Sequence, residues 1–217
     1  MCRNCVPVVG CPFVPPKFGI ENGAWNYTKE VIAYYHVAFD PGFGKALMTY
    51  LQGATVADIG AGVGQFGFFL KQHNSDIKWR GFDGGYNVQD LYGQHTPLNG
   101  YENYTVPKVC WVDASKPFTL PNKPEWVVSI EVGEHIPKSS EAVFLDNIVH
   151  NCRVGAVLTW AVVGQGGYKH VNCQNNDYII EQMRTRNMTY DAAESTRFRQ
   201  TVTNLPWLRN TIMVFKK

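Results

Sequence analysis

Val56-Ala57-Asp58-Ile59-Gly60-Ala61-Gly62-Val63-Gly64 is the stretch on which the reading of this chain turns. Before and into it, the β-branched run Thr55–Ile59 suits a short buried strand. After it, Phe66–His73 is apolar and compatible with a helix. The glycines between them let the backbone turn tightly and approach a ligand closely. Strand, glycine turn and helix in that order open a βαβ unit.

The same alternation continues outward. Ile77–Phe82, Val106–Val112 and Trp126–Ile130 read as strands. Glu141–Cys152 reads as a helix with Phe144, Leu145, Ile148 and Val149 on one face and Ser139 as its N-cap. Val154–Val163 is a continuous apolar run, fit for a central strand buried on both faces. Asp177–Arg186 and Asp191–Gln200 suit helices, and Thr211–Phe215 a last strand. On the amino-terminal side, Trp25–Leu51 suits two short helices broken at Asp40-Pro41-Gly42. The sum is a Rossmann-like α/β sandwich with a mostly parallel sheet. Residues 1–23, with Pro7, Pro12, Pro15 and Pro16, read as a Cys/Pro-rich lead-in or linker, and 24–217 as the domain. Such a start is expected where a domain is fused to others in a longer chain.

Composition bounds the function. The chain has 217 residues, enough for one full domain, with 45% hydrophobic and 18% charged residues. A formal net charge of +2 offers no electrostatic case for a nucleic-acid or membrane-surface partner. No apolar run approaches the roughly 20 residues of a membrane span. The first residues lack the order of a secretory signal. Six cysteines are too sparse for a disulfide scaffold. Cys2, Cys5 and Cys11 lack a fourth zinc ligand at a suitable spacing and read as free thiols in a flexible lead-in. Asn26-Tyr27-Thr28, Asn103-Tyr104-Thr105 and Asn187-Met188-Thr189 match the N-glycosylation pattern, which has no meaning in the cytoplasm, the compartment these features imply.

Three acids frame the glycine loop. Asp58 lies two residues before Gly60, Asp83 ends the second strand, and Asp113 ends the third. An acid at the end of the second strand accepts hydrogen bonds from a ribose diol. An aspartate beside the first loop repels a pyrophosphate and suits an ammonium group, favouring S-adenosylmethionine over NAD.

At these residues the chain resembles the class I S-adenosylmethionine-dependent methyltransferases. Asp58-x-Gly60-x-Gly62-x-Gly64 matches the family's first motif, Gly81-Phe82-Asp83 its ribose-binding acid, Trp111-Val112-Asp113-Ala114 the segment flanking adenine, and Trp126–Glu131 its fourth-strand motif. The resemblance implies a seven-stranded sheet with a reversed last strand, Thr211–Phe215. It implies cofactor contacts at Asp58, Gly60, Ala61, Gly62, Gly64, Asp83, Gly84, Asp113, Ala114 and Glu131. A clear sixth strand is hard to find between Asn187 and Arg209.

A second constellation follows the fourth strand. In Glu131-Val132-Gly133-Glu134-His135-Ile136-Pro137, one helical turn would put Glu131, Glu134 and His135 on one face. Pro137 keeps that turn short. Two carboxylates and an imidazole suit a divalent cation, and the carboxylates suit hard ions such as Mg or Mn. His170, in the loop after the long apolar strand, reaches the same edge of an open α/β sheet. This E-x-x-E-H pattern with a later His is similar to that of the metal-dependent O-methyltransferases. The similarity implies Glu131, Glu134, His135 and His170 as metal ligands, with Glu134, His135 and His170 at the chemistry. The competing reading makes His135 or His170 a plain general base.

A metal that binds a hydroxyl lowers its pKa and fixes it in place. A vicinal diol chelates such an ion through two oxygens. The acceptor is therefore expected to be a sugar of a glycan, with an RNA 3′-terminal ribose or a catechol-type small molecule as alternatives. Tyr34, Tyr35, His36, Trp160 and Tyr168 are expected to present flat faces to it. The +2 balance weighs against RNA. Arg184, Arg186, Arg197 and Arg199 read as a solvated face, while Lys71, Lys78 and Arg80 are placed on the cofactor side.

Overall fold

The computed structural model describes residues 10–16, 22–28, 31–32, 39–95 and 104–217. Seven strands form one sheet: β1 (Thr55–Ile59), β2 (Lys78–Asp83), β3 (Val109–Trp111), β4 (Trp126–Ser129), β5 (Gly155–Leu158), β6 (Thr189–Tyr190) and β7 (Met213–Lys216). Their order is β3-β2-β1-β4-β5-β7-β6. All neighbouring pairs are parallel except those of β7, which runs antiparallel to both β5 and β6. The mostly parallel sheet with a reversed last strand is thus the one expected. The sixth strand is only two residues long, too short to leave a period-2 signal.

Alternation along the strands sorts the helices. Val56, Val128, Val157 and Val214 face α1 (Pro41–Tyr50), α2 (Gln65–Gln72) and α5 (Ala192–Thr201), meeting Phe43, Leu47, Phe66, Leu70 and Phe198. Ile59, Val127, Ala156, Leu158, Met213 and Phe215 face the other way. There they meet Phe144, Leu145 and Ile148 of α3 (Glu141–Asn151) and Ile179 and Met183 of α4 (Asn176–Arg184). Each such fully buried side chain contributes about 1.5–3 kcal/mol. A short α6 (Leu208–Thr211) leads into β7. Among the described residues no helix is long and apolar enough to cross a membrane.

Several expectations shift by a turn or more. Asp40 does not merely break a helix. Its carboxylate accepts the Phe43 N–H and so caps α1, with Pro41 in the first turn. It also accepts the N–H groups of Thr203, Asn204 and Leu205, locking α1 to the loop before α6. Val31 and Ile32 are helical, while 33–38, with Tyr34, Tyr35 and His36, lie outside the described residues. Ser139 does not cap α3; residues Lys138–Ser140 form a 3-10 turn instead. The long apolar run yields strand only at Gly155–Leu158, because Thr159 and Trp160 leave the sheet to build the site described below.

Cys11 is not a free thiol in a loose lead-in. It is disulfide-bonded to Cys110 of β3, 99 residues away, and Phe13 packs edge-on against Phe118 at 6.1 Å. Cys2 and Cys5 lie outside the described residues.

Candidate functional site

In parallel α/β sheets, ligands gather at the carboxyl ends of the strands, beside the point where strand order reverses. Here that point lies between β1 and β4, and a cavity of about 370 Å³ opens there. Asp58, Gly60, Ala61, Gly62, Asp83, Gly84, Ala114, Glu131, His135 and His170 all line it. Gly64, Asp113 and Glu134 do not.

The glycine loop closes against its neighbours. The Gly60 and Ala61 N–H groups both donate to the Phe82 carbonyl, at 2.7 and 2.9 Å. A Cβ on Gly60, which holds φ 80°, would sit 2.2 Å from the Val132 side chain. Only glycine allows that approach.

Asp83 is held on both oxygens. Oδ2 accepts the Gly62 N–H at 2.9 Å, and Oδ1 accepts the Gly85 N–H and the Tyr27 hydroxyl, each at 2.8 Å. Burial raises its pKa, and these donors oppose the rise. Asp58 accepts the Trp79 indole N–H at 3.1 Å. Burial pushes its carboxyl up to about 7, the Trp79 bond opposes this, and Asp83 adds to it. Asp113 spends Oδ1 on the backbone N–H and hydroxyl of Ser115, a local cap, while buried Oδ2 has no hydrogen-bond partner and lies 3.5 Å from Lys116 Nζ.

The second constellation is not one helical face. Glu131 adopts φ 55°, and only Gly133–His135 makes a 3-10 turn. The Glu131 N–H donates to the Thr159 hydroxyl, which in turn donates to Glu131 Oε1, both at 2.7 Å. Gln165 donates to the other carboxylate oxygen at 3.4 Å. That reciprocal pair turns the Glu131 carboxylate toward β5. Glu134, His135 and His170 converge instead, with ligand atoms within 4.8 Å of one another. Gly133 makes the turn possible, since a Cβ there would meet the Trp160 ring at 2.2 Å. Trp160 is therefore buried core and donates its indole N–H to the Asn172 carbonyl; it offers no flat face to the cavity.

The electrostatics of this cluster are unbalanced. Glu134 is fully buried, and neither carboxylate oxygen has a hydrogen-bond partner. Burial and the nearby Glu131 push its pKa well above the ordinary carboxylate range. The His170 Nε2 lies 4.0 Å from Glu134 Oε1, and its Nδ1 lies 3.7 Å from the Cys173 thiol. The His135 Nδ1 lies 3.2 Å from the Lys169 carbonyl, and burial lowers this imidazole to about 4. Nδ1 thus donates and Nε2 carries a lone pair. A buried carboxylate facing two imidazoles, with its oxygens unsatisfied, fits a divalent cation. The loop that carries His170 is pinned as well: the Val171 and Asn172 N–H groups donate to the Glu134 carbonyl, and Asn172 donates to Glu141.

Residues that the sequence reading did not single out complete the walls. Asn22, Trp25 and Tyr27 cover the side that carries Asp83, and Phe39, Phe43, Leu47, Leu205, Trp207 and Leu208 form an apolar wall. Asp40-Pro41 was their only visible herald. Lys78 starts β2 and Lys71 lies in the last turn of α2, both away from the edge where Asp58 and Asp83 stand. Neither lines the cavity, contrary to the expected placement.

No family model matches the sequence. No curated protein matches it either. Solved structures do. A TehB-like SAM-dependent methyltransferase from Corynebacterium glutamicum superposes with a TM-score of 0.57 at 16% identity, covering 81% of this chain and 86% of that one. Magnesium protoporphyrin IX methyltransferase (ChlM) from Synechocystis with bound SAM gives 0.55 at 16% identity, over 82% and 79%. The YcgJ protein of Bacillus subtilis gives 0.54 at 9% identity, over 81% and 97%. The chain has the class I methyltransferase fold. In that fold its cavity stands where the strand order reverses, with Asp58 and Asp83 on its wall.

Proposed function

We propose that the chain is an S-adenosylmethionine-dependent O-methyltransferase, assisted by a divalent metal, that acts on one hydroxyl of a vicinal diol, a sugar of a glycan. The observation that carries the reading is the Glu134 carboxylate. It is buried, neither oxygen makes a hydrogen bond, and it converges with His135 and His170, which line the same cavity as Asp58 and Asp83.

Each residue has a task in this reading. Asp83, held by Tyr27 and the Gly62 and Gly85 N–H groups, retains a lone pair for a ribose hydroxyl. Asp58 faces the cofactor's ammonium. Glu134, His135 and His170 hold the cation, and Glu131 braces the wall through Thr159. Two imidazoles and one carboxylate favour Mn over Mg, because nitrogen ligands suit the softer ion. When bound, the metal lowers the acceptor hydroxyl's pKa and fixes it in place. The fold would then align acceptor oxygen, methyl carbon and sulfur, so that the C–O bond forms as the C–S bond breaks, S-adenosylhomocysteine leaves and the hydroxyl proton passes to solvent.

The late arginines support a non-nucleic acceptor. Arg184, Arg186 and Arg197 are paired with Glu181, Asp146 and Glu194, so these arginines do not form a basic stripe of the sort RNA needs. The apolar wall of Phe39, Phe43, Leu205 and Trp207 favours a second reading, a catechol-type acceptor. Its Asp40 carboxylate is already taken up by backbone N–H groups and offers nothing to sugar hydroxyls. Methyl transfer from labelled S-adenosylmethionine to glycans, catechols and RNA 3′ ends, with Mn, with Mg and with EDTA, tests both. Transfer to a glycan that EDTA abolishes is the expected result. Full activity in EDTA removes the metal from the account.

A further inference from the structure

The Cys11–Cys110 bond changes the meaning of three tripeptides. Cys110 lies buried in β3 opposite Phe82 of β2, and half-buried Cys11 packs against the same core at the sheet's edge, so the crosslink is part of the packed fold. Disulfides of that kind persist in oxidising compartments and are rare in the cytosol. An oxidising lumen is also where N-x-S/T tripeptides become modification sites.

Asn103 of the second tripeptide lies outside the described residues. In the first, Asn26 is exposed, but it stands between Trp25 and Tyr27, which line the cavity. A glycan there would crowd the mouth. The third is different. Asn187 closes α4: its N–H donates to the Arg184 carbonyl and the Met188 N–H to that of Met183, with Asn187 at φ 61°. This Schellman pattern fixes the turn. Asn187 and Thr189 are both exposed, while Met188 between them is buried and anchors the tripeptide. Among the described residues neither the Asn187 amide nor the Thr189 hydroxyl has a hydrogen-bond partner.

Topology places this turn on the safe side. Thr189 pairs with Lys216, and so does Gly155, the first residue of β5. Asn187 therefore lies beyond the amino ends of the strands, whereas the cavity lies at their carboxyl ends. It also precedes β6, the outermost strand, whose free edge a bulky polar group would shield from pairing with another chain.

We propose that Asn187 carries an N-linked glycan and that the chain folds and works in an oxidising, glycosylating compartment. The inference does not rest on the methyl-transfer reading.

The test is mass spectrometry on the full chain captured from its own cells. One aliquot is alkylated and digested without reduction. A second is treated with peptide-N-glycosidase in heavy-oxygen water. The expected result is a Cys11 peptide linked to a Cys110 peptide, together with an Asn187 peptide converted to heavy-labelled Asp. Unmodified Asn187 throughout, or Cys11 and Cys110 both alkylated as free thiols, overturns the proposal. As a separate check, Asn187→Gln removes the glycosidase-sensitive mass. It leaves S-adenosylhomocysteine affinity within about twofold, because the turn is remote from the cavity. A loss of affinity well beyond that contradicts the placement.

Discussion

Two buried acids serve this region, Asp83 on the cavity wall and Glu134 behind His135 and His170, and they are built on opposite principles. Asp83 is satisfied by the protein itself, through Tyr27 and two backbone N–H groups. The other, Glu134, is equally buried and neither of its oxygens makes a hydrogen bond, the nearby Glu134 and Ala161 N–H groups only opposing the rise in its pKa. The first carboxylate is preorganised before any ligand arrives. The second stores an uncompensated desolvation cost that only a proton or a cation relieves. A preorganised acid on the cavity wall and an unsatisfied one behind its two histidines thus stand in one region of the molecule.

The most direct way to break this comparison is to remove the unsatisfied acid. Glu134→Ala is expected to lower methyl transfer by more than about a hundredfold, since a metal supplies several kcal/mol of charge stabilisation. Glu134→Met separates this from misfolding. Without metal it should raise stability by about 1–3 kcal/mol, because an apolar side chain replaces a buried unpaired acid. With excess Mn the order should reverse, wild type melting higher. Thermal melts of both chains with and without Mn read it directly. Identical melts in all four samples would mean that Glu134 meets no cation.

At the satisfied acid the expected loss is smaller and falls on binding. Asp83→Ala removes a charge-assisted acceptor, each such bond being worth about 1.5–3 kcal/mol. S-adenosylhomocysteine affinity should fall by about ten- to a hundredfold in calorimetry, with no change in metal dependence. An unaltered affinity would take Asp83 out of the cofactor site.

How much of this was legible follows the same division. The glycine loop and the acid at the end of β2 are local patterns, set by strand, turn and helix within a few residues, and they fall where the sequence places them. The E-x-x-E-H segment is local only in spacing. Glu131 takes a left-handed conformation because Thr159, 28 residues away, binds both its N–H and its carboxylate. No periodicity encodes that, so the expected four-residue set became a cluster of three. Trp160 looks like an acceptor platform in sequence, yet it is core because Gly133 admits its ring. The wall residues Tyr27, Phe39 and Trp207 come from distant segments, and the Cys11–Cys110 bond spans 99 residues. Such pairings are set by tertiary packing, beyond the reach of a sequence window.

A third buried acid, on the cavity wall with Asp83, is Asp58, whose carboxyl lies at about 7 because it is buried with one indole donor. The sign follows from linkage. Its folded pKa is raised above the ordinary value of 3.8, so stability falls as pH climbs between the two. A bound ammonium favours the ionised form and reverses that preference. S-adenosylhomocysteine should therefore bind more tightly as pH rises through neutrality, by about tenfold between about pH 6 and about pH 8. Asp58→Asn should flatten the profile. A flat profile in the unaltered chain would show that the ammonium is held elsewhere.

The finest test asks how far the preorganised acid depends on its own donors. Tyr27 is buried, and its hydroxyl donates to Asp83 while its backbone N–H donates to the side chain of Asn87. Burial and the nearby Asp83 carry the phenol well above its usual range, so it stays a donor throughout. Tyr27→Phe keeps the ring and deletes one bond to a carboxylate that retains two backbone N–H donors. The net cost of one such bond is about 0.5–1.5 kcal/mol. Cofactor affinity should fall by about two- to tenfold, well short of the Asp83→Ala loss. A Tyr27→Phe loss as large as that of Asp83→Ala would mean that the phenol touches the cofactor directly. No loss at all would mean that the two backbone donors suffice to orient Asp83.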